Sequence, residues 1–330
     1  MNGKNAASSS KFRFGVLGCG DIARKFCRAV ELIPDAEVAA AASSSRDRAE
    51  RLAEEFHIPA AYGDYREMLE KEHLDGVYIA TVHRFHFDNI MLCLDYRTPA
   101  LCEKCFLLTR REAEQVFSRA KKEGVYVTEM MWSRFLPGMR KAREWIRQGK
   151  LGEITSASYS VGFAAREGHR VLNPEIAGGA LYDIGVYGIE GLTYLIGQPL
   201  RHVRPSVTFS SLGVDIEDKL LLEFESCAAR LECTVLRSVN NEARVHGTQG
   251  TLWIPRALES YECHFQGRDG RVESFHSQPL ENGFLPEITS AMDDIRNGRL
   301  ESSVVPHADT LLCAEIFDIC LGTGSPTDIG

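Results

Sequence analysis

From Phe12 to about Met130 the chain alternates short apolar runs with amphipathic stretches. Apolar runs bounded by turn residues predict buried strands at Phe12–Leu17, Glu37–Ser43, Val77–Thr81, Pro99–Glu103 and Val125–Glu129. The intervening stretches have the apolar spacing of helices, at Ile22–Leu32, Arg46–Phe56, Tyr65–Lys71, Phe87–Leu94 and Arg110–Glu123. Strands that are apolar throughout and separated by helices predict a doubly wound parallel sheet with right-handed crossovers.

After Trp132 the pattern changes. Leu136–Gln148 has helical periodicity, whereas in Arg230–Val235 the apolar residues recur at every second position. That alternation is typical of a sheet with one packed face and one wet face. Turn residues separate the strand-like segments Glu242–His246 and Gly250–Ile254 and predict a hairpin. A last helical pattern at Ala308–Leu321 closes the fold. We therefore expect an α+β second half with a large, mostly antiparallel open sheet.

Length and composition agree with this two-part arrangement. The 330 residues allow two domains, and we predict one at 12–131 and one at 132–330, with helix 308–321 able to pack back on the first. The net charge of −8 disfavours broad nucleic-acid or anionic-membrane binding. Residues 1–11 are polar and Ser-rich, which predicts a disordered lead rather than a signal peptide. These features favour a cytoplasmic protein.

The most informative motif is the glycine turn after the first predicted strand. Gly18, Gly20 and Ala23 have the G-x-G-x-x-A spacing, directly before a predicted helix. The first glycine permits the tight turn, the second lets backbone approach a pyrophosphate, and the small third residue keeps the helix close to the sheet. The helix N-terminus then offers free N–H groups and a positive dipole end to the phosphates. The motif predicts a dinucleotide site.

The end of the second strand indicates which dinucleotide binds. An acidic residue there would bond the ribose 2′-hydroxyl of NAD, but the segment reads Ser43, Ser44, Ser45 and Arg46, with no carboxylate before Asp47. Hydroxyls and a guanidinium suit a 2′-phosphate. We therefore expect NADP(H) rather than NAD(H), although Arg46 could instead open a solvated helix.

Ten cysteines without framework spacing predict reduced thiols. Cys102 and Cys105 nevertheless form a C-x-x-C, and His83 and His86 follow the preceding predicted strand. Thiol redox chemistry or a zinc site is therefore an alternative, but the order and spacing do not match the usual zinc patterns, and we expect no metal.

Three later segments carry chemistry. Leu101-Cys102-Glu103-Lys104 ends a predicted strand, Trp132-Ser133-Arg134-Phe135 follows the last strand of the first half, and Gly178 to Tyr187 opens a helix. With the glycine turn, in this order, they resemble the Gfo/Idh/MocA oxidoreductases, and most closely the dihydrodiol and xylose dehydrogenase-like branch. The resemblance spans Phe12 to about Leu321.

The resemblance implies a nicotinamide enzyme with a Rossmann domain and a second domain built on a large open sheet. The family's E-K-P motif corresponds to Glu103-Lys104-Cys105, and its D-x-x-x-Y corresponds to Asp183 and Tyr187. The implied catalytic residues are Lys104, Asp183 and Tyr187. The implied substrate-binding residues are His86, Trp132, Asp183 and Tyr187. The expected cofactor-binding residues are Gly18, Cys19, Gly20, Asp21, Ile22, Ser45, Arg46, Thr81, His83, His86, Glu103 and Lys104.

The chemistry of the catalytic set follows from side-chain properties. Asp183 and Tyr187 are four residues apart, so on a helix they share one face. Oxidising an alcohol by hydride loss also requires removal of the hydroxyl proton, and a nearby ammonium should lower the pKa of a tyrosine toward that task. We therefore assign Tyr187 as proton acceptor, Lys104 as its electrostatic partner and Asp183 as an orienting group. Alternatively, Lys104 is itself the proton shuttle, or it is solvated and Tyr187 is a core aromatic.

Two local expectations remain. Cys105 replaces the family's proline and prefers a trans peptide, which predicts a displaced Lys104. Arg166, His169 and Arg170 lie in an irregular loop, and we expect them to face solvent.

These inferences favour an NADP(H)-dependent oxidoreductase acting on a hydroxyl or carbonyl carbon of a sugar, polyol or cyclic trans-diol. A competing hypothesis is a non-catalytic NADP(H)- or sugar-binding sensor, which the altered E-K-C motif keeps open. We also expect a homodimer or higher homo-oligomer, because an open sheet leaves a face that needs cover.

Overall fold

The first half of the chain folds into a six-stranded parallel sheet. The computed structural model describes residues 11–322, so the predicted lead lies outside the described residues except for Lys11. The strands are β1 Phe12–Leu17, β2 Ala36–Ala42, β3 Ala60–Tyr62, β4 Gly76–Ile79, β5 Ala100–Glu103 and β6 Val127–Met130. The helices are α1 Asp21–Glu31, α2 Arg46–Phe56, α3 Tyr65–Lys71, α4 His86–Asp95 and α5 Arg110–Glu123.

The strand order is β3-β2-β1-β4-β5-β6, and every neighbouring pair is parallel. Apolar side chains cover both faces because helices pack on each side, which explains the continuous apolar runs. The order reverses direction between β1 and β4, so a crevice opens beyond their carboxyl ends. This is the Rossmann arrangement, and the predicted fold class is confirmed.

The second half is built on an eight-stranded sheet in the order β14-β13-β12-β11-β7-β10-β9-β8. Its strands are β7 Ile154–Gly162, β8 Leu200–Phe209, β9 Asp215–Phe224, β10 Ala228–Thr234, β11 Glu242–Gly247, β12 Gly250–Ile254, β13 Glu262–Gly267 and β14 Val272–His276. Neighbouring strands are antiparallel except β7 and β10, which are parallel.

The helices of the second half are α6 Pro137–Arg147, α7 Val186–Ile196, α8 Leu285–Arg296 and α9 His307–Leu321. Helices α6 and α7 lie across the sheet, and α9 contacts its edge strand β8. A Cβ on Gly188 of α7 would stand 2.2 Å from the side chain of Leu231 in β10. Because glycine has no side chain, α7 can lie directly on this strand. That close approach fixes the position of the neighbouring Tyr187.

The last two helices return to the first sheet's helical layers. Phe284 and Ile288 of the α8 region join the core around β1 and α1, and Asn282 donates to the backbone oxygen of Lys25. Helix α9 packs on α5, where Asp318 accepts a hydrogen bond from the backbone N–H of Arg110. The boundary between residues 131 and 132 stays a prediction, and residues of α8 and α9, which follow it in the chain, belong to the cores of both halves.

Several elements differ from the sequence expectations. Helix α8 and the strands β3, β7, β8, β9, β13 and β14 were not predicted individually, and the segment Leu181–Gly185 is a π-helical turn that leads into α7 rather than regular helix. Strand β3 is three residues long, too short to show a period. Within residues 11–322, no helix combines the length and hydropathy needed to cross a bilayer.

Candidate active site

The glycine turn between β1 and α1 has the geometry that a dinucleotide requires. Gly18 has φ +89°, and a Cβ there would stand 2.9 Å from the carbonyl oxygen of Ala80. A Cβ on Gly20 would meet no protein atom within 4 Å, so the space above the turn is open. Helix α1 begins at Asp21 without a side-chain cap, which leaves its first N–H groups available. The turn therefore fits a pyrophosphate.

The end of β2 presents hydroxyl and guanidinium groups. Ser44 accepts a hydrogen bond from Arg48 at 3.1 Å, while the guanidinium of Arg46 donates to Glu50 at 2.9 Å and remains largely exposed. Sequence reasoning missed Arg48, although it lies in the first turn of α2 and reaches back to the serines. Two guanidinium groups beside Ser44 and Ser45 suit a ribose 2′-phosphate.

Residues from both halves of the chain meet where β5 ends. Lys104 Nζ donates to the backbone oxygen of Asp183 at 2.5 Å and lies 3.4 Å from its Oδ1. The same ammonium is 4.9 Å from the ring centroid of Tyr187. The Tyr187 hydroxyl accepts a hydrogen bond from Trp132 Nε1 at 3.1 Å. The structure thus brings together Lys104, Asp183, Tyr187 and Trp132, as the sequence predicted.

At neutral pH Lys104 and Asp183 are charged, whereas Tyr187 is not. Burial disfavours the ammonium of Lys104, but the neighbouring Tyr187, Asp183 and Glu103 together outweigh it and raise its pKa. Burial likewise disfavours the carboxylate of Asp183, yet Lys104 and Arg170 lower its pKa to about 2. The result is a buried ion pair beside a phenol.

Burial is also the main influence on Tyr187, whose pKa it raises; Lys104 lowers that pKa only in part. The ammonium therefore lowers the pKa of the phenol, as expected, but burial has the larger effect, and the net pKa of Tyr187 is raised rather than lowered. At neutral pH Tyr187 is a phenol, the form that donates a proton.

Arg170 does not simply face solvent, contrary to expectation. Its Nη2 donates to Asp183 Oδ1 at 2.7 Å. The reason is that the short 3-10 turn of Arg170 packs against the pair Gly178-Gly179, where the N–H of Gly179 donates to the oxygen of Val171 at 2.8 Å. Of its loop neighbours, Arg166 is exposed, and the half-buried ring of His169 accepts from the N–H of Val171.

The two predicted histidines behave differently. His83 lies beside the site, with Nδ1 3.1 Å from the oxygen of Ala177; burial and the nearby Lys104 lower its pKa to about 3, so its ring is neutral. His86 is fully buried, and its ring nitrogens lie 2.9 Å from the oxygen of Cys105 and 3.0 Å from that of Thr81. The structure therefore uses His86 to hold the segment after β5, and no ring nitrogen is left for a substrate.

Glu103 also points away from the cleft opening. It is buried and accepts a hydrogen bond from the hydroxyl of Tyr78, whose ring stacks on Phe26 of α1 at 3.9 Å. Burial raises the pKa of Glu103. Its predicted cofactor contact stays a prediction, and in the structure it links β4 and β5 beneath Lys104.

The Lys104–Cys105 peptide is cis, so the expectation of a trans peptide was wrong. The intrinsic preference of a non-proline residue gives way here to the contacts of the segment: His86 approaches the oxygen of Cys105, and the N–H of Phe106 donates to Glu129 at 3.2 Å. The predicted displacement of Lys104 depended on a trans peptide, so its premise does not hold; in the structure Lys104 contacts Asp183 and lies beside the ring of Tyr187.

The C-x-x-C does not have the surroundings of a redox or zinc site. Cys102 and Cys105 are fully buried free thiols, and burial raises the pKa of both, which is the opposite of an activated thiol. Among the described residues 11–322, no group of three or more His, Cys, Asp or Glu side chains is arranged to hold a metal ion. These cysteines pack as small apolar residues.

A further carboxylate, missed in the sequence analysis, positions the turn that carries Asp183. Asp215 of β9 is buried and accepts a hydrogen bond from the backbone N–H of Leu181 at 2.6 Å, at the start of the π-helical turn that carries Asp183. The sequence analysis did not predict the strand that carries Asp215, and a single acidic residue is too common to single out.

A Rossmann sheet with an open glycine turn, joined to a second domain that delivers an aspartate and a tyrosine to a lysine at the sheet edge, defines a nicotinamide-dinucleotide oxidoreductase. Residues 12–130 match the oxidoreductase family with an NAD-binding Rossmann fold, and residues 139–253 match the GFO/IDH/MocA C-terminal domain. The chain belongs to this Gfo/Idh/MocA oxidoreductase family, which confirms the resemblance.

Known relatives cover nearly the whole chain. Trans-1,2-dihydrobenzene-1,2-diol dehydrogenase of Mus musculus is 31% identical over 323 residues, covering 93% of this chain and 95% of its own. D-xylose 1-dehydrogenase (NADP(+)) of Hypocrea jecorina is 28% identical, with 96% and 92% covered. A 3-ketoreductase from Actinomadura kijaniata, solved with NADP and TDP-benzene, superimposes with a TM-score of 0.85 at 27% identity, covering 94% and 97%.

Proposed function

We propose that this enzyme transfers a hydride between NADP(H) and a hydroxyl or carbonyl carbon of a sugar, polyol or cyclic trans-diol. The observation that carries the proposal is the meeting of Lys104, Asp183 and Tyr187 at the carboxyl edge of the Rossmann sheet. Relatives named for activity on a diol, on xylose and on scyllo-inositol support the substrate class. The serines and arginines at the end of β2 support NADP(H).

The nicotinamide, when bound, supplies the hydride acceptor or donor. Tyr187 then transfers the hydroxyl proton: its phenol donates a proton to the forming alkoxide during carbonyl reduction and becomes a phenolate, and in alcohol oxidation the phenolate accepts the hydroxyl proton. Lys104 stabilises negative charge on the phenolate or alkoxide. Asp183 holds Lys104 through its backbone oxygen at 2.5 Å and its carboxylate, which keeps the ammonium directed at Tyr187.

The test is turnover of NADPH and NADP⁺ across a panel of aldoses, inositols and cyclic diols. Lys104→Ala and Tyr187→Phe should each lower kcat by about 10²- to 10⁴-fold, the usual contribution of a positioned proton donor. Tyr194→Phe is the matched control, since Tyr194 lies on the same helix α7, away from Lys104. Unchanged turnover in both site variants would remove the mechanism. Cofactor binding without turnover of any panel member would favour the sensor hypothesis.

We also propose that two copies pair through the open face of the eight-stranded sheet. Arg230 points outward from the central strand β10 and is exposed, whereas the alternate residue Leu231 is buried under α7. Leu221 of β9 shares the outward face with Arg230, which it opposes across the strand pair. Analytical ultracentrifugation should give a dimer that Leu221→Asp converts to monomer, while Leu212→Asp, at an exposed turn, leaves the dimer intact.

A cytoplasmic location is proposed from the thiols. All ten cysteines are buried and unpaired, which fits a reducing compartment. Alkylation of the denatured protein purified from its cell should modify all ten. Fewer modified thiols would point to an oxidising compartment.

A further inference from the structure

Arg170 is a cationic side chain at the candidate site that the proposed mechanism does not use. Its guanidinium donates to Asp183 Oδ1 at 2.7 Å, yet 54% of its side chain is exposed, whereas Asp183 is 6% exposed. A guanidinium has five N–H donors. One end of Arg170 is therefore anchored on a buried catalytic group while the rest is accessible.

The backbone that carries Arg170 is held in place. His169 accepts a hydrogen bond from the N–H of Val171, and Val171 is fully buried. The carbonyl oxygens of Asn173 and Val171 accept hydrogen bonds from the N–H groups of the glycine pair 178–179, which precedes Asp183. Arg170 is therefore built into the wall of the site, unlike the exposed Arg166 four residues earlier.

Asp183 is shared between two cations. One of its carboxylate oxygens faces Arg170 at 2.7 Å and Lys104 at 3.4 Å. Lys104 is also influenced by Glu103, which accepts from Tyr78 and helps to raise the pKa of Lys104. Arg170 therefore shares its buried partner with a second cation, while its half-exposed side chain leaves guanidinium N–H groups accessible.

We infer that Arg170 determines substrate specificity by binding an anionic group of the substrate, a carboxylate or a phosphate, close to the reacting hydroxyl. A guanidinium binds both groups through paired, charge-assisted hydrogen bonds. The substrate is then an acidic or phosphorylated sugar or polyol rather than a neutral one. This inference rests on the proposed oxidoreductase function and narrows it.

The test compares matched sugars that differ only at one end: D-glucose with D-glucuronate and D-glucose 6-phosphate, and D-galactose with D-galacturonate. Wild-type enzyme should prefer the anionic member by about 10- to 100-fold in kcat/KM, the size of a charge-assisted contact. The two anionic arms distinguish carboxylate from phosphate. Arg170→Gln should abolish that preference mainly through KM, Arg170→Lys should restore part of it, and Arg166→Gln should leave it unchanged.

Arg170→Gln also removes a hydrogen bond to Asp183 and so lowers activity toward every sugar. The measurement is therefore the ratio of kcat/KM for the anionic sugar to kcat/KM for its neutral partner. A ratio that is the same in wild type and Arg170→Gln overturns the inference, as does a wild-type preference for the neutral sugars. Calorimetric binding of gluconate and inorganic phosphate provides a readout without turnover. Binding that depends on Arg170 supports the inference even if the proposed activity fails, and binding that is equal in Arg170→Gln refutes it.

Discussion

The ammonium of Lys104, from the first sheet, lies 4.9 Å from the ring centroid of Tyr187, from the second domain. It also donates to the backbone oxygen of Asp183 at 2.5 Å, so it is fixed between the turn that carries Asp183 and the helix that carries Tyr187. Neither half of the protein holds this arrangement alone. Relative movement of the halves would therefore separate Tyr187 from Lys104.

This relationship predicts a change in pH dependence when Lys104 is replaced. Burial raises the pKa of Tyr187 and Lys104 partly opposes it. Oxidation requires the phenolate, so its rate should rise with pH throughout the neutral to alkaline range, whereas reduction should be nearly flat near neutral pH. Lys104→Met removes the opposing charge and should move the rise in oxidation to higher pH, with kcat lower at every pH.

The measurement is kcat for both directions from about pH 6 to about pH 11, a range that extends above the ordinary tyrosine pKa of about 10. Lys141→Met, at a half-buried position on α6, serves as the control and should reproduce the wild-type profile. If the pH-dependent rise disappears instead of shifting, Lys104 is itself the proton shuttle.

Trp132 should tune the same proton. Its Nε1–H donates to the Tyr187 hydroxyl at 3.1 Å, a bond that favours the phenolate and lowers the pKa of Tyr187. Trp132→Phe keeps an aromatic ring but removes the donor, so oxidation should slow about fivefold, as for the loss of one hydrogen bond of about 1 kcal/mol. Trp253→Phe, on the second sheet, should have no effect. An unchanged rate for Trp132→Phe, or an equal loss in both variants, would contradict this role.

Cofactor preference should depend on both arginines at the start of α2. Arg46→Ala and Arg48→Ala should each raise KM for NADPH by about 10- to 100-fold, because each loses a charge-assisted contact to the 2′-phosphate. KM for NADH should change little, since NADH lacks that phosphate. Arg51→Ala, exposed on the same helix, is the matched control. Equal effects on both nucleotides would show that the arginines do not read the phosphate.

Periodicity in the sequence was sufficient to predict most of the fold. The strands of the first sheet are apolar throughout because helices cover both of its faces. In β10 apolar and polar residues alternate because only one face of that sheet is packed. Helix α8 escaped prediction because its packing partner, α1, lies more than two hundred residues earlier in the chain. The short β3 has no room for a period.

Only part of the candidate site could be predicted from the sequence. Lys104, Asp183 and Tyr187 were predicted from family order, and the structure gathers them. Arg170 was assigned to solvent, and His86 to the substrate, because the course of an irregular loop and the depth of a side chain are set by tertiary contacts. Neither property leaves a periodic signal in the sequence.

The buried pair Asp215 and Asp218 should make stability fall as pH rises. Asp215 accepts from the N–H of Leu181, which positions the turn of Asp183. Burial, reinforced by Asp215, raises the pKa of Asp218 from its ordinary 3.8 to about 8. Between these values the folded protein holds a proton that the unfolded chain has released, so the free energy of unfolding should decrease as pH rises from about 4 to about 8.

Asp218→Asn removes this titration while keeping the shape of the side chain. The variant should gain stability over wild type as pH rises, by on the order of 1–2 kcal/mol at about pH 8.5, and show a smaller difference at about pH 5. Urea unfolding at both pH values measures the difference, and Asp269→Asn, at an exposed turn, controls for the loss of a surface charge. A gain that is the same at both pH values would mean that Asp218 does not hold a proton in the folded enzyme.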